Sequence, residues 1–150
     1  MTICISGASG LVGNEILIQL LNNPLTEKVL VLARSPLGFG HAKMQVVVAP
    51  FDQLDQLEVA EKIDIGFCAL GTTLRKAGSK ERQQEIDRDY VISFGRFCQK
   101  AGVEKIGIVS SIGANEHSSN FYLRTKGEME RGVTQLGIPL TVFIRPSFLI

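Results

Sequence analysis

An excess of charge of either sign is missing from this 150-residue chain, in which 16 Lys and Arg residues face 15 Asp and Glu residues for a formal net charge of +1. No basic run or stripe appears, so nucleic acid is not an expected partner. No uncharged apolar run approaches the roughly 20 residues that span a bilayer. The opening MTICISGASG has neither a basic n-region nor a long apolar h-region. A membrane partner is therefore not expected, and a soluble cytoplasmic protein is. Cysteine is scarce: Cys4, Cys68 and Cys98 are odd in number and widely spaced, with no C-x-x-C. Each falls in an apolar segment and reads as a small buried hydrophobe. His41 and His117 are far apart and have no cysteine or carboxylate at ligand spacing, so no metal site is expected. Internal repeats and low-complexity tracts are absent too.

The chain does have a hydrophobic fraction of 45%, enough for a sizeable core, in a length that suits one domain. Short β-branched runs alternate with segments of helical period. TICIS (2–6), KVLVLA (28–33), MQVVVA (44–49), IDIGFCAL (63–70), KIGIVSS (105–111) and LTVFI (140–144) read as strands. Residues 11–23 read as a helix with Leu11, Ile16, Leu17, Leu20 and Leu21 on one face and Pro24 beyond its end. Residues 81–101 form a longer helix with Ile86, Val91, Phe94, Phe97, Cys98 and Ala101 at helical spacing, and residues 120–136 form another. DQLDQLEVAE suggests a short helix, and RSPLGFGHAK a loop. Near-continuous apolar strands alternating with helices imply a parallel α/β sheet covered on both faces. Right-handed crossovers then favour a doubly wound, Rossmann-type fold with strand order 3-2-1-4-5-6. RPSFLI ends on apolar residues straight after a strand, which suggests that the domain at 1–150 continues into a further, substrate-binding segment.

Between the first strand and the first helix, GASGLVG places Gly7, Gly10 and Gly13. One glycine allows a tight turn, one a close backbone approach to a pyrophosphate, and one close helix packing. The helix N-terminus offers its N–H groups to phosphate, and Ser9 adds a hydroxyl. The second strand ends in Arg34, where NAD-preferring proteins carry a carboxylate for the ribose. A guanidinium matches a 2′-phosphate instead, so NADP(H) is the expected cofactor. Asp52 either meets the adenine or caps the following helix. In ALGTT, Leu70 and Gly71 lie at a carboxyl strand end beside the cofactor, while Thr72 and Thr73 either cap a turn or donate to phosphate or ribose.

In SSNFYLRTKGEME, Tyr122 and Lys126 stand four apart and share a helical face. Ser110 and Ser111 end the preceding strand on the same edge as the glycine turn. A free tyrosine titrates at about pH 10. An ammonium about 4 Å away stabilises phenolate by roughly 4 kcal/mol at an effective dielectric of 20, against which desolvation works. The trio thus suits acid/base catalysis beside a nicotinamide. An exposed pair on a helix rim is the bland alternative.

GASGLVG, ALGTT, VSSIGA, YLRTK and IRPSFLI, in that order, resemble an atypical short-chain dehydrogenase/reductase. LGTTLRKAG, DRDYV and SSNFYLRTKGEME carry a closer resemblance to the Tat-interacting, tumour-suppressor-like oxidoreductase subgroup. The resemblance covers essentially the whole chain. It implies a Rossmann fold, bound NADP(H), and catalysis by Tyr122 and Lys126, the lysine also binding the nicotinamide ribose. It places the family's serine at Ser110 or Ser111, with Ser111 preferred. Further cofactor contacts fall on Ser9, Gly10, Leu11, Val12, Arg34, Leu70 and Gly71. Two departures stand out: the loop between the second and third strands is too short and broken for a full helix, and the usual substrate-binding segment after the sixth strand is absent. The implied activity is hydride transfer to or from a small carbonyl or alcohol. The alternative is a module that senses the NADP(H) pool through a protein partner. A homodimer is compatible with either.

Overall fold

Six short strands, joined by five segments that each cross over the sheet to reach the next, produce a six-stranded all-parallel sheet in the computed structural model, which describes residues 1–147. The strands are β1 (Thr2–Ser6), β2 (Lys28–Ala33), β3 (Met44–Val48), β4 (Ile65–Cys68), β5 (Lys105–Val109) and β6 (Leu140–Ile144). Their order is β3-β2-β1-β4-β5-β6, so the sheet is doubly wound as its sequence pattern implies. The crossover after β1 runs towards β2, while that after β4 runs the other way towards β5. The switch point therefore lies between β1 and β4, which pair in register from Ile3↔Ile65 to Ser6↔Cys68.

Side chains of each central strand alternate between two buried faces, which is why these strands read as continuous apolar runs. Ile5, Val29 and Val31 pack with Leu17 and Leu21 of α1 (Leu11–Asn22). On the other face, Cys4, Leu30, Leu32, Ile106 and Ile108 meet Val91, Phe94 and Phe97 of α4 (Tyr90–Lys100) and Met129 and Val133 of α5 (Phe121–Thr134). All three cysteines are buried in this layer. On β6 the pattern breaks. Phe143 packs inward, but Leu140, Val142 and Ile144 are each 44–51% exposed.

Several element boundaries differ from those read in the sequence. The fourth and fifth strands end at Cys68 and Val109, where ladder pairing stops, short of Ala69 and Leu70 in the one and of Ser110 and Ser111 in the other. The segment expected to be a short helix at 52–61 is a 3₁₀ turn, Phe51–Gln56. ALGTT is followed by α2 (Leu74–Ala77), a helix too short to leave a periodic signature. The helix expected at 81–101 consists of α3 (Lys80–Gln84), a wide π-helical turn (Glu85–Asp89) and α4 in succession. Leu11, expected on the core face of α1, is 69% exposed, because the buried stripe runs through Gly13, Leu17 and Leu21 and at about 100° per residue Leu11 points roughly 120° away from Leu17. The apolar end at 148–150 lies outside the described residues. No helix among the described residues is long and apolar enough to cross a membrane.

Candidate functional site

The chain leaves β1 and must turn sharply into α1 against the end of β4. Gly7 takes φ +79°, and a Cβ there would lie 2.5 Å from the carbonyl carbon of Ala69. A Cβ on Gly13 would lie 1.9 Å from the Gly7 carbonyl oxygen. These two glycines thus wedge the turn between β4 and α1. Gly10 has no such conflict: its Cβ would sit 3.5 Å from the nearest heavy atom. Gly10 caps α1 with extended backbone and no side-chain hydrogen bond, and the first turn carries no acidic residue. Ser9, Gly10 and Leu11 are exposed and Val12 is half-buried, so the first N–H groups of α1 face outward, where the helix end favours an anion.

A cleft of about 640 Å³ opens in front of this turn, along the carboxyl edge of the sheet. Gly7, Ser9 and Gly10 line it, and Leu70 and Gly71 form the wall beyond β4. Its charged lining residues are Arg34, Lys76 and Arg82, with no carboxylate among them. Arg34 is exposed at the end of β2, its guanidinium 5.9 Å from the Phe51 ring centroid. Phe51 meets Tyr90 edge-on at 5.9 Å and 82°, giving the cleft an aromatic floor. Lys76 sits on α2, whose first turn is capped by the Thr73 hydroxyl accepting from the Lys76 N–H at 3.2 Å. Neither Arg34 nor Lys76 makes a salt bridge among the described residues. Arg82 is held by Glu85 at 3.0 Å and donates to the Tyr90 hydroxyl at 2.7 Å. Thr73 therefore realises the capping alternative. Asp52 does not, being exposed in its 3₁₀ turn without a capping bond.

Tyr122 and Lys126 lie on α5, which starts after Asn120 accepts from the Leu123 N–H at 3.0 Å. They do share a face. The Lys126 ammonium lies 5.8 Å from the Tyr122 ring centroid, with the tyrosine 36% exposed and the lysine side chain 3% exposed. The nearest charge to the ammonium is the Asp87 carboxylate, whose Oδ1 is 3.1 Å away and which is itself 1% exposed. The Thr72 N–H also donates to Oδ1, at 3.3 Å. Oδ2 has no partner among the described residues. Burial pushes the Asp87 carboxyl above the usual carboxylate range, against the pull of Lys126 and the Thr72 N–H. A Cβ on Gly71 would lie 3.1 Å from Oδ1 and 3.7 Å from the ammonium, so the pair sits directly behind the Gly71–Thr72 wall of the cleft.

Both serines follow β5. Ser110 is buried, its hydroxyl without a partner among the described residues, while the Ser111 hydroxyl donates to the Ile112 carbonyl at 3.2 Å. Tyr122, Lys126, Ser110 and Ser111 are not among the residues lining the cleft; of the four, Lys126 is the one placed beside its Gly71 wall. Gly7, Ser9, Gly10, Arg34, Leu70 and Gly71 come together in one concavity, whereas Leu11, Val12 and Gly13 are not among its lining residues. Asp87, Lys76, Arg82 and the Phe51–Tyr90 floor escaped the reading of the sequence. Asp87 did leave a signal, since it falls four residues before Val91 and seven before Phe94, on the apolar stripe of its helix. A carboxylate on a core face demands a buried partner.

A family model described as NAD(P)H-binding matches residues 7–150. Protein HTATIP2 of Rattus norvegicus is 35% identical over 99% of this chain, which spans 63% of that relative's length. Protein FMP52, mitochondrial, of Debaryomyces hansenii is 36% identical over 100% of this chain, which spans 67% of it. The chain thus covers about two-thirds of the length of these curated relatives. Among solved structures, MoeE5 in complex with UDP-glucose and NAD superposes with a TM-score of 0.76 at 18% identity, over 97% of this chain and 54% of that one. A UDP-glucose 4-epimerase from Thermotoga maritima does so with a TM-score of 0.75 at 15% identity, over 97% of this chain and 55% of that one. At such identities the likeness is one of fold.

Proposed function

The chain belongs to the NAD(P)H-binding family as an atypical short-chain dehydrogenase/reductase related to Protein HTATIP2, and on that premise we propose that it is an NADP(H)-dependent oxidoreductase acting on a small carbonyl or alcohol. The observation that carries the cofactor choice is the charge of the cleft: Arg34 and Lys76 line it without a salt bridge among the described residues, Arg82 lines it paired to Glu85, and no carboxylate is among the lining residues. A ribose-binding carboxylate would favour NAD, whereas a 2′-phosphate adds negative charge that this lining meets. The glycine turn fits the pyrophosphate, because Gly7, Ser9 and Gly10 line the cleft at the N-terminal end of α1, where no acidic side chain in the first turn opposes an anion. Gly7, Ser9, Gly10, Leu11, Val12, Gly13, Arg34, Leu70 and Gly71 are the proposed cofactor contacts, with Tyr122 and Lys126 at the nicotinamide end.

A bound nicotinamide would supply or accept the hydride. Ser111 orients the substrate oxygen. Its hydroxyl, which donates to the Ile112 carbonyl at 3.2 Å, would turn to donate to that oxygen, because a carbonyl oxygen only accepts and an alcohol's single proton goes to Tyr122. Ser110, buried with nothing to bond, is the alternative, and alanine at each position in turn identifies which one lowers kcat. Tyr122 gives a proton to the carbonyl oxygen during reduction and takes it back during oxidation. Its exposure leaves the phenol reachable by solvent and substrate. Lys126 holds its ammonium over the tyrosine ring, paired to Asp87, and would bind the nicotinamide ribose at the Gly71 wall.

Arg34→Ala is expected to weaken NADPH binding by about tenfold to a hundredfold, the usual span for a hydrogen bond to a charged group, while NADH binding changes little. Fluorescence titration of both nucleotides measures this, and equal loss for the two would remove the 2′-phosphate from Arg34. NADPH-dependent turnover of a carbonyl panel by the protein extended to its relatives' length tests the reaction itself. The neighbours solved with UDP-sugars and NAD suggest epimerisation as a variant, which Arg34 disfavours. A sensing module that binds NADP(H) and a protein partner, without turnover, is the second reading; the partner-free cleft geometry serves it equally, but the Tyr122–Lys126 pair has no task there. We also propose that residues 1–150 are the nucleotide-binding domain, with the substrate pocket completed elsewhere, and that the protein is cytoplasmic. Fractionation decides the last point, since the fungal relatives bear a mitochondrial name.

A further inference from the structure

We propose that the buried Asp87–Lys126 pair sets how strongly the protein discriminates between the oxidised and the reduced dinucleotide, with Asp87 offsetting the lysine's charge behind the nicotinamide end of the cleft. This rests on the dinucleotide reading above. Arg34 at the end of β2 and the glycine turn after β1 would take the adenosine and pyrophosphate. Since the sheet continues from β1 to β4 and β5, the remaining half of the ligand extends towards Gly71 and Thr72. The ion pair stands immediately behind that wall. Gly71 has no side chain to separate them, and the Thr72 N–H bonds directly to the carboxylate.

The two redox states of a nicotinamide differ by one positive charge on the ring. An unaccompanied ammonium close by would disfavour the oxidised ring, and a carboxylate beside that ammonium cancels most of its field. Both side chains are almost wholly withdrawn from water, so neither charge is well screened. Packing does not explain the carboxylate. One of its oxygens has no partner, burial opposes its ionisation, and an apolar side chain of similar volume would fill the site without that cost. A charge kept at such expense, next to a ligand whose states differ by a charge, points to an electrostatic task.

The quantity to measure is the ratio of dissociation constants, NADP⁺ over NADPH, because any loss of binding shared by both states cancels in it. Direct fluorescence titration yields the NADPH value and competition yields that of NADP⁺. In Asp87→Asn, measured at about pH 6.5 so that a lone ammonium stays protonated, the ratio is expected to rise on the order of tenfold. In Lys126→Met, measured at about pH 8.5 so that a lone carboxylate is ionised, it is expected to fall by a similar factor. The double variant is expected to return towards the wild-type ratio. The single variants move in opposite directions, so either one that folds is decisive. In either single variant, a ratio within about twofold of wild type, or a shift opposite in sign to that expected, overturns the proposal. A wild-type preference for NADH would instead remove the NADP(H) reading, and the ratio for NAD⁺ over NADH then tests the charge assignment unchanged. Binding of neither nucleotide pair removes both.

Discussion

Tyr122→Phe is expected to lower kcat by about 10²- to 10⁴-fold, the usual worth of a positioned proton donor, with dinucleotide affinity essentially unchanged. The substitution removes one oxygen and little else. The ring stays, and with it the contact to the Lys126 ammonium 5.8 Å from its centroid. Tyr122 makes no side-chain hydrogen bond among the described residues, and it is 36% exposed, so the fold does not depend on its hydroxyl. The loss should therefore appear in the chemical step, with the denaturation midpoint unmoved. Turnover equal to wild type would take the phenol out of the mechanism. No turnover in either protein, with nucleotide binding intact, would favour the sensing module.

The second large effect concerns stability. Asp87→Leu and Lys126→Met each strand a partner charge in the core and are expected to cost about 3–5 kcal/mol. Set against a total stability of about 5–15 kcal/mol for a domain, either change brings the fold close to its limit. The double variant is expected to recover most of this loss, because an apolar pair of similar volume often replaces a buried ion pair at no net cost. Urea unfolding of the four proteins forms a double-mutant cycle. Losses that simply add would show that the two side chains do not act as a unit, despite the 3.1 Å between them.

These two predictions draw on features of very different legibility. The glycine turn and Arg34 could be read from the sequence because turn geometry and strand ends are local properties. The alternation of apolar runs yielded the sheet and its order, since a strand buried on both faces has almost no alternative composition. The Tyr122–Lys126 face followed from helical spacing alone. What the lysine does with its charge could not be read in that way. Its partner belongs to another helix, and the only trace was a carboxylate on an apolar stripe. Lys76 and Arg82 turn towards Arg34 through the placement of α2 and α3, and four- or five-residue helices leave no periodic pattern to find. Leu11 passes for a core residue because it is apolar, but the stripe that packs is Gly13, Leu17 and Leu21, and a glycine on a buried face leaves no hydrophobic signal to mark it.

The wide turn at Glu85–Asp89 gives the rod from Lys80 to Lys100 a built-in phase slip. Ordinary winding advances about 100° per residue, so one surplus residue rotates the two halves relative to each other by just over a quarter of a revolution. The leading half can then aim Arg82 at the open edge while the trailing half keeps Phe94 and Phe97 inside. Excising any single residue from the slip would restore uniform winding and force a choice between those two allegiances. At that spot the chain's length acts as a gear ratio, and a deletion there retunes the whole rod.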